Sequence, residues 1–199
     1  KGVELIREAK IPTVRRLVAR RIAEMIEALS LDRARNAIRK LMAEHKMDAA
    51  LFTSYHNICY LSDFLYCYFG RRYGLVIDHQ KATSVTAAID GGQPARRTFG
   101  DNVTYTDWEK TNYLHAVQNL TKGVKRLGIE FDHVNLDFRR DLEAALPGVE
   151  LVDIAAPAMR LRMIKSAEEI EHITKMTRIA DIGGAACVEA IAVGAPEHE

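Results

Sequence analysis

Apolar residues recur every three or four positions at the start of the chain. Val14, Leu17, Val18, Ile22, Met25, Ile26 and Leu29 fall on one stripe of period 3.6, which predicts a helix that Pro12 begins or kinks. Ser30 can cap a second helix carrying Leu31, Ala34, Ile38, Leu41 and Met42, so residues 1–47 read as a helical segment. From Asp48 the rhythm changes to short apolar runs between turns. Ala49 to Thr53, Tyr73 to Ile77, Thr83 to Ile89, Arg126 to Glu130 and Leu151 to Ile154 are expected strands. Asn57 to Leu61 fits a short helix or a turn. Trp108 to Thr121 and Phe138 to Leu146 fit helices, the second capped by Asp137 and stopped by Pro147-Gly148. Strands alternating with helices predict an α/β layered domain with a largely buried sheet, spanning residues 48–156.

Ala155-Ala156-Pro157 reads as a linker-like break. Beyond it, Ser166 and Glu169 have capping-box spacing. They open a long, half-apolar helix through Ile170, Ile173, Thr177 and Ala180 to Ile191. A lone amphipathic helix needs a surface to pack on. Residues 157–199 are therefore expected to be the hinge and first helix of a second domain, with the chain stopping just inside it.

Composition narrows the classes. The chain has 199 residues, 48% hydrophobic and 28% charged, with a net charge of +1. These are ordinary globular values and give no global case for a nucleic-acid or membrane partner. The helical segment holds a basic cluster, Arg15, Arg16, Arg20 and Arg21 followed by Arg33, Arg35, Arg39 and Lys40. A solvated helix face is the plain reading, and contact with an acidic partner the alternative. Glu4, Glu8, Glu24 and Glu27 interrupt the positive charge, which disfavours a transit peptide. No apolar run is long enough to span a bilayer, and the charged start is unlike a secretory signal. Three cysteines, Cys59, Cys67 and Cys187, sit in apolar surroundings and predict buried thiols in a reducing, cytoplasmic protein. No Cys or His pair has metal-ligand spacing, and neither a GxGxxG nor a P-loop sequence is present.

Candidate chemistry lies in Tyr66-Cys67-Tyr68-Phe69-Gly70-Arg71-Arg72-Tyr73, with Asp90-Gly91-Gly92-Gln93-Pro94 downstream. Two adjacent guanidinium groups can grip a carboxylate through parallel hydrogen bonds. Neighbouring aromatic faces can hold a planar cation or a methyl group. The combination suits a small zwitterion with a carboxylate at one end and a delocalised cation at the other. Residue by residue the plainer readings stand beside this: a surface arginine at Arg72, packing roles for Tyr66 and Tyr68, and structural histidines at His56, His115 and His133. Asp90-Gly91-Gly92 reads as a tight turn needing positive φ.

Several uninterrupted blocks resemble the creatinase family. They are Ala49 to Ile58, Tyr66 to Tyr73, Asp90 to Pro94, Tyr105 to Trp108, Gly128 to Leu136, Met163 to Ser166 and Ile179 to Ala186. The resemblance covers about residues 48–199 and departs from the family where Ala95 replaces a common Trp. It implies a three-layer N-terminal α/β domain with a mixed sheet, preceded here by helices and followed by the first helix of a pita-bread catalytic domain. It further implies hydrolysis of creatine to sarcosine and urea without a metal or other cofactor, by a homodimer whose active site is shared between subunits. The catalytic groups would lie beyond residue 199. Phe69 and Arg71 would enter the partner's site, Phe69 as an apolar wall and Arg71 as the carboxylate clamp. Two other readings compete: a non-catalytic interaction or dimerisation module, and a fragment of a metal-dependent peptidase or lyase of the same superfamily.

Overall fold

The computed structural model describes residues 31–66, 70–92 and 98–194. The stripe from Val14 to Leu29, the Ser30 cap, Cys67, Tyr68, Phe69 and Gln93 to Ala95 lie outside the described residues. The chain divides into two compact units, Lys1–Met159 and Arg160–Glu199.

In the first unit a helix, α1, runs over residues 31–44. There follow β1 (Ala49–Phe52), α2 (Tyr55–Ser62), β2 (Gly74–Asp78), β3 (Ala82–Ala87), β4 (Asp101–Tyr105), α3 (Asn112–Leu120), β5 (Arg126–Ile129), α4 (Leu136–Ala145), β6 (Glu150–Asp153) and the start of α5 (Ala155–Met163), which runs on past Met159. The six strands form one mixed sheet in the order β4-β3-β2-β1-β5-β6. β2 is antiparallel to both β1 and β3, and the other pairs are parallel. Every residue of β1 and β3 is buried. Successive side chains of a strand point to opposite faces, so both faces are covered, as the α/β reading requires.

Leu51, Phe52, Leu75, Ile77, Leu127 and Ile129 are fully buried, each contributing about 1.5–3 kcal/mol through removal from water. Arg35 ties α1 to its surroundings: its Nε donates to Leu61 O at 2.7 Å, its Nη2 to Phe99 O, and its guanidinium lies over the Phe99 ring. Burial pulls the Arg35 pKa down.

The structure corrects four readings. β4 was not among the expected strands: Asp101-Asn102-Val103-Thr104-Tyr105 is polar because it forms a half-exposed sheet edge. α4 is capped by Asn135, whose side chain accepts from Phe138 N at 2.8 Å, while Asp137 sits inside the first turn and pairs with Arg140 there. The Ala155-Ala156-Pro157 stretch is helical, because Pro157 falls in the first turn of α5, where a backbone N–H has no helical partner to lose. Cys187 is exposed and Cys59 half-buried, its thiol donating to Phe64 O at 3.3 Å. The Asp90-Gly91-Gly92 turn has positive φ at both glycines, 56° and 77°.

The second unit is dominated by α6 (Ala167–Ala190). Its capping box forms as expected: Ser166 N donates to Glu169 Oε2 at 2.6 Å and Glu169 N to Ser166 Oγ at 3.2 Å. Ile170, Ile173, Met176, Ile179 and Ile182 are all exposed.

Candidate functional site

The strand directions bring one set of loops together. β1, β3, β4 and β5 all end at the side of the sheet where β2 begins. The chain also leaves β1 toward β2 on one side, while β5 lies on its other side. Clefts form at such points of divergence in α/β sheets. Two cavities of about 270 and 500 Å³ occupy this edge and share Gly70, Arg72 and Tyr113 in their walls.

Arg71 and Arg72 enter this region on the loop before β2, and the fold treats them differently. Arg71 is half-exposed, and its Nε donates to Asp107 Oδ2 at 2.5 Å, just past the end of β4. This hydrogen bond holds the Asp107 carboxyl below the usual carboxylate range and raises the Arg71 pKa. Arg72 departs from the solvated reading. It is only partly exposed, and its guanidinium stacks on the Phe138 ring at 4.2 Å from the centroid. Such stacking suits a planar, weakly hydrated cation.

The backbone beneath them is pinned. Tyr105 Oη donates to Arg72 O at 2.8 Å. Tyr113, fully buried, donates to Tyr73 O at 3.3 Å, and Tyr73 Oη donates to Asp90 Oδ2 at 2.6 Å. Burial pushes the Tyr105 phenol up to about 12 and raises those of Tyr73 and Tyr113 as well. All three phenols are therefore neutral hydrogen-bond donors at ordinary pH. Tyr66 is buried and stacks on Tyr73 at 4.2 Å between centroids, which fits its expected packing role.

The smaller cavity is walled by Thr53, Arg72, His133 and Phe138 among others. His133 Nδ1 lies 3.0 Å from Thr53 Oγ1. Beneath this pair sits Glu130, a buried residue to which the sequence assigns no site role. Its carboxylate accepts from Thr53 N (2.6 Å), Ser54 N (2.9 Å), Ser54 Oγ (2.5 Å) and Asn57 Nδ2 (2.5 Å). It therefore sits at the N-terminus of α2, where the helix dipole favours negative charge. The His56 and His115 side chains are exposed. Trp108 is exposed beside Asp107 and lines the larger cavity.

Phe69, the expected apolar wall, lies outside the described residues, and the adjoining Gly70 has φ 77°. Among the described residues no group of three His, Cys, Asp or Glu side chains is placed to hold a metal ion. No described helix is long and apolar enough to cross a membrane. The arrangement can bind an anion through guanidinium groups held at fixed positions. Among the described residues the one hydroxyl–imidazole contact in its walls is that of Thr53 Oγ1 with His133 Nδ1, at 3.0 Å.

Comparison with known proteins agrees with this architecture. Residues 35–164 match the family model described as Creatinase/Prolidase N-terminal domain. A creatinase from Bacillus sp. (strain B-0618) is 51% identical over 173 residues, which cover 85% of this chain and 42% of that protein. The uncharacterized peptidase YqhT of Bacillus subtilis (strain 168) is 28% identical over 150 residues, 72% of this chain and 39% of that protein. The chain thus spans less than half the length of these curated relatives. Among solved structures, the Xaa-Pro dipeptidase from Bacillus anthracis has a TM-score of 0.67 at 20% identity, covering 81% of this chain and 44% of that one. The prolidase from Pyrococcus horikoshii OT3 has a TM-score of 0.65 at 22% identity, covering 80% of this chain and 43% of that one. At these identities the structural likeness establishes the fold alone.

Proposed function

Because the chain belongs to the creatinase/prolidase N-terminal domain family, we propose that it serves as the N-terminal domain of a creatinase-type amidinohydrolase, which converts creatine and water to sarcosine and urea. The observation that carries this reading is the 51% identity to a creatinase over most of the chain. The peptidases share the fold at much lower identity.

In this reading the domain binds and orients substrate. A guanidinium carbon is a poor electrophile because its positive charge is delocalised. Hydrolysis needs that planarity broken, a water activated and a nitrogen protonated as it leaves, work suited to a histidine outside this chain. Arg71 holds the creatine carboxylate, and Phe69 walls the N-methyl group. Fixing both ends of the substrate lowers the barrier through orientation. The site is shared across a homodimer, the protein is cytoplasmic, and neither a metal nor another cofactor takes part.

The test is urea release from creatine by the full-length protein, with and without a chelator. Chelator-resistant urea is expected. Arg71→Ala should raise KM by about tenfold or more, the scale for losing a charge-assisted hydrogen bond to a carboxylate. No urea from the full-length protein would refute the activity, and loss of urea with chelator would favour the metal-dependent relatives.

A further inference from the structure

Arg71 uses one edge of its guanidinium within the fold. Its Nε–H donates to Asp107 Oδ2 at 2.5 Å. Among the described residues its two terminal nitrogens make no hydrogen bond or ion pair. An arginine has five N–H donors in a rigid planar fork, so a carboxylate fixed on the Nε edge sets the direction of the whole plane. The terminal nitrogens are then left to receive a second carboxylate through parallel hydrogen bonds.

Asp107 is itself well placed for this. It follows β4, whose last residue Tyr105 pairs in register with Ala87 of β3 and clamps Arg72 O through its phenol. The segment carrying Asp107 and the segment carrying Arg71 are therefore tied to the sheet and to each other at neighbouring positions. Arg72, stacked on Phe138, and Tyr73, held by Tyr113, complete three consecutive anchored residues. The loop gives a long, flexible side chain a fixed base, and Asp107 fixes its tip.

We infer that Asp107 is a positioning residue: it holds Arg71 by its Nε edge so that the terminal nitrogens face the substrate carboxylate. This rests on the creatinase reading above. Asp107 does not touch substrate. It removes the rotamer freedom that a half-exposed arginine would otherwise lose on binding.

Steady-state kinetics of the full-length protein test this with creatine and with its carboxamide, which lacks the carboxylate. Asp107→Ala should raise KM for creatine by about two- to tenfold, the scale for immobilising one rotamer-rich side chain on binding, with kcat changed less. Asp107→Asn retains an acceptor for Nε–H and should fall between wild type and alanine. Both variants should change KM for the carboxamide less than KM for creatine, because its amide oxygen accepts from the guanidinium without charge assistance. The Arg71→Ala/Asp107→Ala double variant should match Arg71→Ala alone, because the two residues act as a unit.

An Asp107→Ala protein with wild-type KM for creatine, beside an impaired Arg71→Ala, would overturn the inference and leave the creatinase reading intact. Equal losses on both substrates, with a lowered melting temperature, would assign Asp107 a structural role and also overturn it. Full-length wild type that releases no urea from creatine would fail the functional reading, and the inference with it.

Discussion

Replacing Glu130 with alanine removes the acceptor shared by Thr53 N, Ser54 N, Ser54 Oγ and Asn57 Nδ2, all donating within 2.9 Å. Glu130 is 2% exposed, so water cannot readily substitute. A buried donor left without a partner costs about 1–3 kcal/mol. With three N–H donors orphaned, the Ser54 hydroxyl free to rotate away, and some offset from no longer burying a charge, the expected loss is about 3–5 kcal/mol. Glutamine is milder. Its amide oxygen can face the two backbone N–H groups, and its NH₂ can donate to Ser54 Oγ, which rotates, but Asn57 Nδ2 then faces a donor in place of its acceptor. The loss of charge assistance and of the Asn57 bond then leaves a cost of about 2–3 kcal/mol. Urea unfolding followed by circular dichroism measures both variants, with the slope m expected to stay unchanged. Amide chemical shifts of Thr53 and Ser54 would report the local change. An alanine variant destabilised by less than about 1 kcal/mol, or a glutamine variant as damaged as alanine, would refute the account of Glu130 as the organiser of the turn after β1.

Two further outcomes follow from close contacts. A Cβ at Gly74 would lie 2.5 Å from Tyr113 Oη, so Gly74→Ala should destabilise by about 1–3 kcal/mol in a thermal melt. Adding Tyr113→Phe removes the clashing oxygen and should restore part of that loss, whereas no recovery would place the strain elsewhere. Asp48 accepts from Arg126 N and Lys125 N at 2.9 and 2.8 Å, which lowers its carboxyl pKa. A depressed carboxyl contributes stability that is present above its unfolded pKa of about 3.9 and lost as pH falls through the folded value. Asp48→Asn should therefore lower the urea midpoint at pH 7 more than at pH 2–3, and an equal drop at both would contradict this.

The parts of the fold legible in the sequence were those dictated by local pattern. Five strands and the helix around Asn57 to Leu61 follow from apolar runs and turn residues, and the capping box of α6 from the spacing of Ser166 and Glu169. β4 escaped notice because an edge strand has half its surface in water and needs little apolar patterning. Pro157 misled because a proline signals a break inside a helix but is neutral in the first turn. The site was legible as a segment, Tyr66 to Tyr73, but not as a geometry. Composition and spacing around Arg71 and Arg72 do not distinguish one from the other. Asp107 and Phe138, which do, arrive with β4 and α4. Glu130 had no local signal either, since its partners at Thr53, Ser54 and Asn57 lie on the other side of a parallel strand pair.

That parallel pair also sets an order of events at the ribosome. Ala49 of β1 faces Asp78 on one side and Leu127 on the other. The antiparallel partner emerges early and can zip onto β1 while synthesis continues. The parallel partner emerges only after β4 and α3 have left the exit tunnel. Until then the central strand of the finished sheet is an open edge of Ala49, Ala50, Leu51 and Phe52, apolar and unprotected by charge or proline. Nascent chains paused between Tyr105 and Arg126 would be the form most prone to pair with one another, and the stretch in which a holding chaperone has most to shield.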